Sequence, residues 1–135
     1  MAKKPVIKKL TLNDLMQQRE KYEVKQDTKE EVLLRRGDDQ VTITIKKPTR
    51  SLCLECITLS QDENRQEQAD INMVYNIVVE PNLKDTNLHK AYGCIEPIEI
   101  VEKIFETGEI AQISGYGMEL AGYGNEMKAI KDIKN

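Results

Sequence analysis

The sequence contains few of the side chains on which many binding and catalytic sites depend. Among its 135 residues there is no Trp, one Phe and one His, and aromatic residues make up 4%. A single His excludes a metal site built from several imidazoles, and so few aromatic rings exclude a nucleic-acid surface built on many stacking platforms. No apolar run approaches the roughly 20 residues of a membrane-spanning helix, so no membrane contact is expected.

The sequence also lacks a large excess of either charge. Charged residues make up 32% of the chain, but they nearly balance and leave a net charge of −3. This balance argues against a protein that binds DNA, RNA or anionic membranes through its overall field. The high charged fraction means that much of the chain is solvated surface. The length suits one domain with its own hydrophobic core.

Three cysteines without a secretion signal indicate reduced thiols and a cytoplasmic protein. Cys53 and Cys56 have the C-x-x-C spacing of redox enzymes and zinc sites. A redox pair needs a helix N-terminus, and a zinc site needs further Cys or His ligands. Because neither context is present, we interpret both residues as small buried hydrophobes, with Cys94 as an isolated third thiol.

Other candidate sites also have a simpler structural interpretation. His89 lacks a neighbouring nucleophile motif, so we expect it to be solvated or partly packed. The glycine-containing residues 115–122 match neither phosphate-binding motif and are interpreted as interrupting and ending a helix. Asp38 and Asp39 fit a turn better than a metal site. We therefore predict no catalytic residue, no cofactor, no metal and no enzyme activity.

Residues 1–10 carry a cluster of lysines, namely Lys3, Lys4, Lys8 and Lys9. We interpret residues 1–10 as a basic flexible leader, with a nucleic-acid-binding arm as the alternative. Residues 11–123 are predicted to form a single α+β domain, and residues 124–135 a weakly helical tail. Within the domain, the spacing of Thr11 and Asp14 predicts a helix start, and this helix is expected to extend to about residue 21.

The clearest strand pattern lies in residues 41–45, where β-branched apolar residues alternate with threonines. With the turn-forming residues 36–39 it predicts a β-hairpin over residues 31–46. A lone hairpin is only marginally stable, and no other segment is a convincing strand. Its exposed edge could pair with a second copy or with a partner. We favour self-assembly and expect a homo-oligomer assembled through Val41, Ile43 and Ile45.

After Pro48 the apolar spacing becomes helical. Residues 71–79 are apolar nearly all round and are predicted to form the central, most buried helix, with a strand at residues 77–79 as the alternative. Residues 61–68 are wholly polar and are interpreted as an exposed helical stretch or a loop. Pro97 fits the first position of a further helix. The predicted fold is therefore a small, mostly helical α+β domain with an N-terminal β-hairpin.

Several motifs between residues 72 and 123 carry a family resemblance. They are Asn-Met-Val-Tyr at 72–75, Val-Glu-Pro-Asn-Leu-Lys-Asp at 79–85, Ile-Val-Glu-Lys-Ile-Phe at 100–105, Gly-Glu-Ile at 108–110 and Glu-Leu-Ala-Gly-Tyr at 119–123. In order and spacing the chain resembles the XkdN-like tail assembly chaperones of phages and prophages of Gram-positive bacteria, over roughly residues 10–123. The one departure is an Ala where the family pattern has Ser, in Leu-Ala-Gly-Tyr.

This resemblance implies a non-catalytic protein that binds the tape-measure protein of a phage tail. It would keep that protein soluble in the host cytoplasm during assembly, and the tail-tube protein is a second candidate partner. The apolar residues of the C-terminal helices are more numerous than a small core needs, so they are the predicted client-binding residues: Ile98, Val101, Ile104, Phe105, Ile113 and Leu120. The alternatives are a structural tail or tube component and a small nucleic-acid-binding regulator.

Overall fold

The computed structural model describes residues 7–125 and 127–133. Most of the leader predicted at residues 1–10, including Lys3 and Lys4, lies outside these ranges, as do residues 126, 134 and 135 of the predicted tail. The elements follow in the order α1 Leu12–Gln17, α2 Arg19–Tyr22, β1 Lys29–Arg36, β2 Asp39–Lys46, α3 Arg50–Ser60, α4 Gln66–Ile77, β3 Val78–Glu80, α5 Thr86–Ala91, a 3-10 helix Pro97–Glu99, α6 Ile100–Ile104, α7 Thr107–Leu120 and α8 Ile130–Ile133.

The sheet is antiparallel, with three strands in the order β1-β2-β3. β1 and β2 pair in register from Lys29 opposite Lys46 to Arg36 opposite Asp39, which confirms the predicted hairpin. β3 pairs with the other side of β2 at Thr44 and Ile45. The expectation that no further strand exists was wrong: the chain leaves α4 directly into a short strand, as the alternative interpretation had it.

The core lies between the sheet and the helices that follow it. Ile43 and Ile45 of β2 are buried, while Thr42 and Thr44 point to the opposite face, as the period of a strand requires. α4 is the central helix and packs against α3 and α7. Its residues Met73, Val74 and Ile77 have no exposed surface.

α7 runs without a break through Gly115 and Gly117, so the predicted interruption at these glycines was wrong. Gly117 is buried where α7 meets α4, and a Cβ built on it would lie 2.5 Å from Cδ1 of Ile77. A side chain at this position would push the two helices apart. Gly117 therefore allows close approach of two helix backbones, which is a common reason for glycine inside a helix.

The end of α7 is fixed by a Schellman motif. Gly122 adopts φ 96°, its N–H donates to the carbonyl of Glu119, and the N–H of Tyr123 donates to the carbonyl of Met118. Glycine suits this position because it has no Cβ, whereas a Cβ at this positive φ would crowd a neighbouring carbonyl oxygen. The turn brings Tyr123 back over the end of the helix.

The two N-terminal helices have no buried residues. α1 begins with the predicted capping box, in which Thr11 and Asp14 exchange backbone-to-side-chain hydrogen bonds of 3.1 Å each. The helix ends at Gln17 rather than near residue 21, and its apolar residues Leu12 and Met16 are exposed. In the described ranges, no helix is long and apolar enough to cross a membrane.

Candidate functional site

An open groove with mostly apolar walls lies where the start of α3 meets the end of α7. Its volume is about 460 Å³. We call it the α3–α7 groove, and its lining residues are Val24, Gln26, Lys47, Pro48, Arg50, Cys53, Leu54, Ala121, Gly122 and Tyr123. These residues come from three separate stretches of the chain, so the groove exists only in the folded domain.

The start of α3 places one wall of the groove. The Oγ1 of Thr49 accepts a hydrogen bond of 3.1 Å from the N–H of Leu52 and so caps the helix. This cap sets the rotation of the first turns, in which Cys53 points inward and is buried. Leu54 points outward with 61% of its surface exposed. The helix thereby holds a large apolar side chain at the groove with most of its surface exposed to solvent.

The opposite wall comes from two other segments, the turn after α7 and the connector between α2 and β1. The Schellman turn after α7 holds Tyr123 in position, with 42% of its surface exposed. Val24, from the connector between α2 and β1, is 55% exposed. Together with Leu54 these residues form an accessible apolar surface. Such a surface is typical of sites that bind an apolar partner segment.

Both charged residues that line the groove are cationic. The Nζ of Lys47 donates a hydrogen bond of 2.6 Å to the backbone carbonyl of Lys25, which holds the ammonium group at the rim. Arg50 is exposed and makes no ion pair with any residue that the structure describes. The rim therefore favours a partner segment that carries carboxylates beside its apolar residues.

The thiols of the C-x-x-C motif are free and buried, which confirms their interpretation as small core residues. Burial raises the pKa of the Cys53 thiol, and the nearby charge of Lys47 opposes this effect. Burial also raises the pKa of Cys56, and the carboxylate of Asp70 adds to the increase. Thiols with raised pKa values are poor nucleophiles at neutral pH. In the described ranges, no group of three or more His, Cys, Asp or Glu side chains could hold a metal ion.

His89 is more buried than the sequence suggested, with 8% of its surface exposed. Its Nε2 lies 2.6 Å from the carbonyl oxygen of Leu83. Because a carbonyl only accepts, the ring nitrogen donates the proton. The expectation of a solvated or partly packed side chain was therefore wrong, because the imidazole is buried and joins α5 to the turn that follows β3.

The predicted client-binding residues do not line the α3–α7 groove. Val101, Phe105 and Ile113 are core residues with 6% or less of their surface exposed. The other three, Ile98, Ile104 and Leu120, are half-buried. Contact with a client stays a prediction for all six residues. Burial leaves little of the side chains of Val101, Phe105 and Ile113 accessible to a client.

The predicted self-assembly edge falls on the central strand of the sheet. Ile43 and Ile45 are buried, whereas Val41 is 38% exposed. β2 is paired along its length by β1 and at one end by β3. These three residues therefore do not form a free edge, and the long outer edge of the hairpin belongs to β1.

The groove was missed because its apolar residues are isolated in the sequence. Leu54 lies off the apolar stripe formed by Leu52, Cys53 and Cys56, on the side of α3 that the pattern assigns to solvent. A large apolar residue on the polar side of an amphipathic helix was the available signal. Val24 gave no signal, and Tyr123 stood out only as the last residue of the motif at 119–123, because neither lies in a periodic segment.

Comparison with known proteins identifies the class of this small α+β domain. The chain matches the model of the phage XkdN-like tail assembly chaperone proteins over residues 10–134. Since the match spans nearly the whole sequence, the chain belongs to this family of tail assembly chaperones, which confirms the resemblance seen in the sequence motifs.

Two other comparisons are less informative. No curated protein matches the chain. Among solved structures, the crystal structure of the protein YqbN is similar to it, with 21% sequence identity and a TM-score of 0.49, over 70% of this chain and 87% of that chain.

Proposed function

We propose that this chaperone binds the tape-measure protein of its phage and keeps that protein soluble in the bacterial cytoplasm while the tail assembles. Membership of the family supports the general role in tail assembly. The observation that carries the finer proposal is the α3–α7 groove, an open surface with mostly apolar walls at which Leu54 is exposed. Stoichiometric binding of this kind needs no catalytic residue.

The shape of the groove suits a helix with an apolar stripe. A partner helix presents residues at i, i+3 or i+4 and i+7 to such a groove. Leu54, Val24 and Tyr123 supply accessible apolar surface on different walls. A long helical client would expose stripes of this kind until tube protein covers them. The tail-tube protein is a second candidate partner, because it must displace the chaperone from the client.

Co-expression with the tape-measure protein tests the proposal. The wild-type chaperone should move the client into the soluble fraction and co-purify with it. Leu54→Glu places a charge in the apolar groove and should abolish both effects. Ile95→Glu is the matched control, because Ile95 is also exposed, at 92%, and does not line the groove.

Two results would overturn parts of the proposal. If the client is equally insoluble with and without the chaperone and no complex forms, the tape-measure function is wrong. If Leu54→Glu and Ile95→Glu both retain binding, the groove is not the client site. Presence of the protein in purified mature tails would instead favour a structural component, since a chaperone leaves before the particle is complete.

A further inference from the structure

The outer edge of β1 is free within the part of the chain that the structure describes, because β1 pairs there only with β2. The N–H of Lys47 donates to the carbonyl of Thr28, so Thr28 and Lys47 form a hydrogen-bonded pair. These pairs alternate along an antiparallel ladder. Glu31, Leu33 and Arg35 therefore direct their backbone N–H and C=O groups away from β2, toward the free edge.

The charges of β1 are arranged symmetrically about its centre. The strand contains two glutamates, then three apolar residues, then two arginines: Glu30, Glu31, Val32, Leu33, Leu34, Arg35 and Arg36. An antiparallel pairing of this segment with itself reverses the order in the second strand. Acidic residues of one copy then face basic residues of the other.

We infer that β1 pairs with β1 of a second copy, antiparallel and centred on Leu33, to form one continuous sheet across two chains. In this register Glu31 of each copy faces Arg35 of the other, and Leu33 faces Leu33. All three positions carry the outward-directed backbone groups, so the hydrogen-bond ladder and the charge pairs agree. The inference concerns self-association and is independent of the identity of the client.

Neighbouring registers are worse. Sliding one strand by a single residue, so that Val32 faces Leu33 of the other copy, would oppose residues from different faces of the sheet. Centring the pair on Val32 would oppose Leu33 with Glu31 and Arg35 with Lys29. Centring it on Leu34 would oppose Leu33 with Arg35 and place Glu31 against the turn at Gly37. Only the register centred on Leu33 matches apolar with apolar and acid with base.

The side chains that this pairing uses are available on the outer face. Across the hairpin, Glu31 lies opposite Thr44 and Arg35 opposite Gln40, so neither has a charged cross-strand partner. Neither makes an ion pair elsewhere in the described ranges. Leu33 is 61% exposed, and pairing with its copy would cover it. On the other face, Arg36 is already bound within its own chain and adds less.

Tyr116 extends the contact beyond the strands. It is 43% exposed and lies with Leu33 and Leu34 around a small concavity between β1 and α7. A second copy at the β1 edge would bring its own α7 toward this ring. One pair of strands gives little interface area, so packing of this kind is needed for a stable dimer.

Charge reversal within one chain tests the register. The dimer dissociation constant is measured by sedimentation equilibrium for the wild type, Glu31→Arg, Arg35→Glu and the double variant. Each single change opposes like charges at two symmetric positions and should raise the constant about tenfold or more. The double variant restores opposite charges and should return to the wild-type value. An equal mixture of the two single variants should also dimerise, because every facing pair is then oppositely charged.

The result is informative whether or not dimers form. Monomeric wild type at all concentrations, or single variants that dimerise as strongly as the wild type, would overturn the inference. Failure of the double variant to recover would overturn the register. Both side chains are exposed on the outer face and face neutral residues of β2. Thermal unfolding should therefore show that each variant folds as well as the wild type.

Discussion

Arg36 at the end of β1 and Glu109 in the first turn of α7 form a bidentate ion pair, with both nitrogen-to-oxygen distances at 2.7 Å. The same guanidinium donates a hydrogen bond of 2.6 Å to the carbonyl of Ile104. Oε1 of Glu109 also accepts the N–H of Glu106, which caps α7. One pair of side chains therefore fixes the hairpin end to the start of α7.

This pair changes the titration of both groups. The hydrogen bond from Arg36 holds the pKa of Glu109 below its ordinary value, although partial burial opposes the shift. The hydrogen bond to Glu109 raises the pKa of Arg36. A carboxylate whose pKa falls on folding stabilises the native state only while it is ionised.

Glu109→Gln should lower the free energy of unfolding at pH 7 by about 1 kcal/mol, because a neutral amide replaces the ionised acceptor at a site that is still partly solvated. The stabilisation by Glu109 is complete above the ordinary pKa of 4.5. It is lost as the pH falls through the lower folded-state pKa. Urea unfolding from pH 7 to pH 2.5 should therefore show the two proteins converging in acid.

Glu102→Gln is the control for this measurement, because Glu102 is an exposed glutamate near the same pair. Its stability should parallel the wild type at every pH. A constant difference between Glu109→Gln and the wild type down to pH 2.5 would show that the charge of Glu109 does not stabilise the fold.

Gly117→Ala and Gly115→Ala should change stability in opposite directions. At Gly117 the added Cβ meets Ile77, whose side chain has no exposed surface and little room to move, so a loss of about 1–3 kcal/mol is expected. At Gly115 the Cβ meets nothing within 4 Å, so alanine should stabilise α7 by about 0.5–1 kcal/mol. Thermal unfolding of both variants measures the contrast, and a stabilised Gly117→Ala would show that α4 and α7 are not in close contact.

The two glycines also show how far the sequence determines the fold. Local signals predicted the hairpin and the capping box at Thr11, because both depend on neighbouring residues. The sequence could not show that α7 continues through Gly117, because the reason lies in α4, at Ile77. The third strand was predicted only as an alternative for the same reason, since residues 78–80 become a strand by pairing with β2.

The candidate site was less predictable than the fold. Apolar spacing correctly identified Val101 and Ile113 as residues on a helix face, but burial in the core and binding to a partner produce the same spacing. Only the structure separates these uses, because exposure depends on which helices pack together. Leu54 is exposed and its neighbour Cys53 is buried, although both are apolar.

Cys94 should react first with a thiol reagent under native conditions. It is only partly buried, whereas Cys53 and Cys56 are buried, and burial raises the pKa of both, which lowers the thiolate fraction. Mass spectrometry after a short iodoacetamide pulse at pH 7.5 should locate the label on Cys94. Cys94→Ala should remove the fast phase of labelling. Rapid labelling of Cys53 would show that the reagent reaches this buried thiol through the α3–α7 groove.

His89→Ala should destabilise the protein although it removes nothing from the groove. The variant loses the hydrogen bond from Nε2 to the carbonyl of Leu83, a residue with no exposed surface. It leaves that buried carbonyl without its imidazole donor. A loss of about 1–3 kcal/mol in the free energy of unfolding is expected in urea.

Lys90→Ala is the control, because it changes the exposed neighbour on α5 and should alter stability by less than about 0.5 kcal/mol. Equal stability of the two variants would show that the imidazole does not anchor the turn, whereas a loss confined to His89→Ala would assign it a structural role.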